Sequence, residues 1–280
     1  MIIYHTKYWA IITLCINLLI SISTISLAQE STYYGRSLTL EYQSPQTYIY
    51  RIQEVWKKSA INLIQIPYSS DGTVINNQRS TQYETDPFVI TETMGTIKFT
   101  PKPQHSIYIQ GPRKFIDFNN VKGPMISPPD GGLSYVLSHR YLRGHINTSI
   151  INSSPTVCWR GTQLPICKYK GKLPPVLHAE IGQLFSLPLS NYITDINSGD
   201  SLTYQLANND DVGQSPALPF KNPSKDLLSI DGDTGLMLFK IPDHTIISTG
   251  SAYELAFTVT DNKGGITSLE LVVFVTDINN

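Results

Sequence analysis

Apolar and polar residues alternate with a period of two through much of this chain. In SLTLEY, Leu38, Leu40 and Tyr42 share one face while Thr39 and Glu41 share the other. That period places successive side chains on opposite sides of a pleat, so the segment predicts a strand. YIYRI, INLIQI, TIKFT and SIYIQ predict further short strands, separated by the turn-rich stretches PYSSDG, NNQRS, TPKPQ and GPRK. The alternation returns later, with Leu202, Tyr204 and Leu206 on one face of SLTYQL and Tyr253, Leu255, Phe257 and Val259 on one face of YELAFTVT. After DNKGG, the run SLELVVFVT places Leu269, Leu271, Val273 and Val275 together. Two alternating runs about an Asn/Gly turn predict a hairpin. The expected fold is all-β. A mostly antiparallel β region covers 29–120, a connector 121–173, and an immunoglobulin-like β-sandwich 174–280. KGPMISPPDGG opens the connector and GKLPP closes it, because proline-rich segments resist both helix and sheet.

Composition narrows the setting. A net charge of -1 with 15% charged residues gives no electrostatic reason to expect nucleic acid or an acidic membrane surface as a partner. Residues 1–28 combine Lys7, the apolar run WAIITLCINLLISIS and the small residues Ser26, Leu27 and Ala28 before Gln29, the form of a secretory signal peptide. An uncleaved anchor is the alternative, although the run is shorter than the roughly 20 residues that span a bilayer. Cys15 lies in the leader, so the mature chain keeps Cys158 and Cys167. An even pair in an exported chain implies a disulfide, here closing CWRGTQLPIC. Asn147 (NTS) and Asn152 (NSS) fit the glycosylation pattern, while Pro223 blocks the triplet at Asn222. The connector is therefore expected to be exposed and sugar-bearing.

Residues 227–239, LLSIDGDTGLMLF, carry acids that invite a chemical reading. A phosphatase nucleophile loop would want Thr or Val where Gly235 stands, and an aspartic protease would want Ser or Thr where Leu236 stands. A helix-flanked calcium loop needs Glu at its twelfth position, which counted from Asp231 is Pro242. LLSI and LMLF flanking DGDTG instead predict a hairpin with a five-residue loop. The mature histidines His105, His139, His145, His178 and His244 show no metal-ligand spacing. His139, Arg140 and Tyr141 with Arg143 form a small basic, aromatic patch that an anionic glycan could use, although a solvated loop is the commoner meaning.

Taken in order, five C-terminal fragments resemble a cadherin-like repeat, most closely the dystroglycan-type variant. They are PPVLHAEIGQLFSLPL, YITDINSGDSLTYQL, LLSIDGDTGLM, YELAFTVTDNKGG and VVFVTDINN, together covering roughly the last 105 residues. The resemblance implies an immunoglobulin-like sandwich, extracellular adhesion or recognition, and calcium at the domain ends. Carried over, the entrance ligands are Asp195, Asn197, Asp200 and Asp261, and the exit ligands Asp277 and Asn279. Departures are visible: Asn197 replaces an acid, GKLPP lacks the Asp-x-Asn-Asp-Asn linker, and no Leu-Asp-Arg-Glu motif is present, with Asp243 in KIPDHT a loose stand-in. The expected function is non-enzymatic binding of an extracellular protein or glycan, with membrane association through a partner or an anchor beyond Asn280. A secreted carbohydrate-active enzyme or protease carrying the sandwich as an accessory is the alternative.

Overall fold

The computed structural model describes residues 33–57, 72–85, 88–100, 105–110, 125–126, 135–136, 141–208, 222–241 and 252–276. The expected leader, the INLIQI strand, and the positions His139, Arg140, Asp243, His244, Asp277 and Asn279 lie outside the described residues. Within them the fold is all-β, as the alternation predicts. β1 (Tyr33–Ser44), β2 (Thr47–Lys57), β3 (Gly72–Thr85), β4 (Phe88–Phe99) and β5 (His105–Gln110) come first. The short β6 (Met125–Ile126) and β7 (Tyr135–Val136) pair with each other, followed by β8 (Tyr141–Ile146) and β9 (Thr156–Val157). Then come β10 (Leu177–Glu180), β11 (Leu184–Pro188), β12 (Ile193–Thr194), β13 (Leu202–Leu206), β14 (Leu228–Ile230), β15 (Leu236–Lys240), β16 (Ala252–Asp261) and β17 (Ile266–Thr276).

The C-terminal strands form two facing sheets. β13, β16, β17 and β10 lie side by side in one, and β11, β15 and β14 in the other. Both expected hairpins are present, β16–β17 and β14–β15. The predicted inward faces of β16 and β17 meet Leu187, Leu228, Met237 and Phe239 in one buried cluster. Interdigitated inner faces of two sheets make a β-sandwich. The DGDTG loop is the expected turn: Gly235 takes φ +66, which suits glycine, and the Asp231 carboxylate accepts from the N–H and hydroxyl of Thr234.

The sheet does not end at the sandwich. β17 pairs with β10 in parallel over residues 273–276 and with β1 in antiparallel over residues 268–271, both on the edge away from β16. From β1 the sheet continues through β2 and β4 to β3. On its back face, Leu38, Leu40, Tyr48, Tyr50, Ile52 and Ile97 form a second core with Ile107 of β5 and Ile146 of β8. The polar faces of β16 and β17 are therefore buried too. Arg36 of β1 and Glu270 of β17, both 0% exposed, form an ion pair at 2.9 Å there. The turn expected at NNQRS is a register shift inside β3, between Ile75 and Arg79. Polar residues in an irregular strand look like a turn when only composition is read.

The connector departs furthest from expectation. Residues 152–159 are buried, not exposed. Ser153 and Ser154 hydroxyls accept the N–H groups of Tyr42 and Leu40, capping β1 beyond its pairing with β17. Trp159, wholly buried, donates its indole N–H to the Ser37 hydroxyl at 3.0 Å. Leu173 of the expected linker is also buried and pairs with Trp159 in a β-bridge. The Cys158–Cys167 disulfide is formed as expected. Ser and Pro mark a loop by composition, but here their polar groups finish the hydrogen bonding of a sheet edge.

Candidate metal centre

Asp195 and Asp200 flank the loop between β12 and β13, and Asp261 closes β16. Each is held by its own turn. The Asp195 Oδ1 accepts the Asn197 N–H at 2.8 Å, and Gly199 at φ +89 lets the chain reverse before Asp200. The Asp261 Oδ1 accepts the N–H groups of Lys263 and Gly265, fixing the β16–β17 turn. Pairing of Leu202 with Asp261 across β13 and β16 then brings the two loops together. A carboxylate oxygen from each of Asp195, Asp200 and Asp261 lies within 4.8 Å of the others.

Three carboxylates so close repel one another. Burial pushes the Asp195 carboxyl up to about 6, and neighbouring Asp261 and Asp200 add to the shift against the Asn197 N–H and Lys263. Lys263 lies 2.8 Å from Asp200 Oδ1 and its own pKa rises in response. One ammonium against three carboxylates leaves an excess of two negative charges when all are ionised. Asp195 Oδ2 and Asp200 Oδ2 are buried and have no hydrogen-bond partner among the described residues.

A fourth group completes the cluster. Asn152 is 0% exposed, its Nδ2 donates to Asp261 Oδ2 at 2.9 Å, and its buried Oδ1 has no partner among the described residues. Asn152, where a glycan is expected from the sequence, is enclosed here and its side-chain nitrogen is already bonded to Asp261. Asn147 sits in the turn ahead, its Oδ1 accepting the Ser149 N–H. The Asn197 Oδ1 accepts the Ser153 N–H at 2.8 Å, so this predicted ligand ties the 147–159 segment to the acidic loop. Gly265 is required by close approach, since a Cβ there would collide with the Asp261 carboxylate and crowd Asn152 and Ser154. Calcium takes six to eight oxygen ligands and prefers carboxylate and amide oxygens. Asp195, Asp200, Asp261 and Asn152 are a donor set of that chemistry. The sequence pointed to the three acids; it did not point to Asn152, whose partner is 109 positions away.

No family model and no curated protein matches the chain. Among solved structures, it is similar to the protocadherin gamma B7 extracellular cadherin domains 1-4, at 13% identity over 85% of this chain and 48% of that one, with a TM-score of 0.29. It is similar to protocadherin gamma B2 extracellular cadherin domains 3-6 at 11% identity, over 89% of this chain and 52% of that one, TM-score 0.28. For Drosophila N-cadherin EC1-4 the values are 12%, 91%, 70% and 0.27. The chain spans about half the length of the first two.

Proposed function

We propose that this chain is an extracellular, non-enzymatic adhesion or recognition protein with a cadherin-like sandwich of the dystroglycan type, stiffened by calcium at Asp195, Asp200, Asp261 and Asn152. The observation that carries this reading is that carboxylate oxygens of Asp195, Asp200 and Asp261 lie within 4.8 Å of one another with Asn152 bonded to Asp261, while buried oxygens of Asp195, Asp200 and Asn152 have no hydrogen-bond partner among the described residues. Unpaired buried polar atoms are costly. A bound cation would supply the positive charge that this set of oxygens lacks. Asn152 belongs to the segment that caps β1, so the cation would join the N-terminal strands to the sandwich. The chain's own residues then do the rest: the sheets make a rigid scaffold and the exposed loops make the contacts. The Cys158–Cys167 disulfide accords with an oxidising compartment, and the five ordered C-terminal fragments support the cadherin-like assignment.

The test is thermal melting of the mature chain in millimolar calcium and in chelator. A ligand that binds only the folded state raises the melting temperature. The expected result is a rise with calcium, a smaller one with magnesium, and none in Asp195→Ala. A melt that calcium leaves unmoved would remove the cation from this reading.

A further inference from the structure

Residues 152–179 contain no Asp or Glu, yet carry Arg160, Lys168, Lys170 and Lys172 in a chain whose net charge is -1. Arg160 lies inside the disulfide loop and the three lysines directly follow it. The Arg160 N–H donates to the Leu173 carbonyl, which brings Arg160 alongside the lysine run. Between the lysines stands Tyr169, 88% exposed, with the Lys168 ammonium 5.2 Å from its ring centroid. An aromatic left in water contributes almost nothing to folding by burial.

The loop is also rigid. Cys167 is bonded to Cys158, and a 3-10 turn, Pro165–Cys167, runs directly into Lys168. The N–H groups of Cys167, Lys168, Lys170 and Gly171 are all bonded to backbone carbonyls. Lys170 Nζ is held by the Ser190 carbonyl at 3.0 Å and Lys172 Nζ by the Cys167 carbonyl at 2.8 Å. Each ammonium keeps further donors. Among the described residues, none of the four cations is paired with a carboxylate.

We infer that this loop is a binding surface for an anionic polysaccharide, with Tyr169 offering its ring face to a sugar and Arg160, Lys168, Lys170 and Lys172 pairing with sulfate or carboxylate groups along the polymer. A rigid exposed aromatic flanked by cations loses little entropy on binding and has the make-up of an interaction hot spot. Added-strand recognition of a peptide would need a run of free backbone donors, and those of Cys167, Lys168, Lys170, Gly171 and Leu173 are in use. The surface uses none of the proposed cation ligands and stands whether or not calcium binds.

The experiment is titration and salt-gradient elution of the protein on heparin, in chelator, with polyglutamate as competitor. Retention beyond physiological salt is expected for the wild type. Arg160→Glu with Lys168→Glu should weaken binding at least about tenfold, as charge reversal at a charge-matched surface does. Tyr169→Ala should weaken it several-fold, with an unchanged melt showing the fold intact, and Lys225→Glu, an exposed cation elsewhere, should change nothing. Elution at low salt, or unchanged binding by both loop variants, would overturn the inference. Equal competition by polyglutamate would also overturn it, since the loop would then recognise negative charge without the sugar.

Discussion

Asn152 stands at the meeting point of the acidic cluster and the segment that caps β1, and one substitution separates its two roles. Asn152→Ala removes the donor to Asp261 Oδ2, leaving a buried acceptor unpaired at a cost of about 1–3 kcal/mol in chelator by denaturant titration. The same variant should also show a reduced calcium-induced rise in melting temperature, which a purely structural amide would not affect. Asp195 gives a second test, through pH. Burial pushes its carboxyl up to about 6 in the fold, from an ordinary value of 3.8. The folded state therefore holds a proton that the unfolded chain has released, so the contribution of this group is full below pH 3.8 and is lost as pH rises through about 6. Melting temperatures in chelator should carry that falling component between these limits, and saturating calcium should flatten or reverse it. The turns that hold Asp195, Asp200 and Asp261 could be read locally, as turn-forming acids beside glycine and asparagine, and the fold brings the three carboxylates together. The role of Asn152 could not be read, because its triplet is readable as a sugar acceptor until a contact from the far end of the chain encloses it.

At the scale of elements, local and distant pairings differed in how far they could be read. The β14–β15 and β16–β17 hairpins follow from alternation broken by Asp/Asn/Gly turns, all within one short window of sequence. The pairing of β1 with β17 joins Arg36 to Glu270 across 234 positions, and no periodicity encodes which strand lies beside which. Its polar pair is also what alternation would assign to solvent. The pair offers a direct test of that burial. Arg36→Met should destabilise the protein by about 3–5 kcal/mol, since a buried carboxylate is left uncompensated, whereas Arg36→Met with Glu270→Leu should recover most of the loss. If the single variant costs no more than a surface substitution, the β1–β17 junction is open to water.

Across the whole molecule, a shared sheet and two cores that meet at β1 and β17 predict cooperative unfolding. Near- and far-ultraviolet circular dichroism of the protein should report one coincident transition. A fragment of residues 171–280 would lack β1 and Trp159, uncovering the β17 edge and part of the core. It should melt at a lower temperature and self-associate through that edge, as light scattering would show. The placement of β1 and β10 along the same edge of β17 has a further, mechanical meaning. Tension applied between the segment before Tyr33 and the segment after Thr276 pulls β1 and β17 from the same end, because they are antiparallel, and loads their hydrogen bonds one after another. The same tension pulls β10 and β17 from opposite ends, because they are parallel, and loads that whole ladder in shear. Under load the N-terminal strands would peel away first, and the sandwich would remain as the part that bears force.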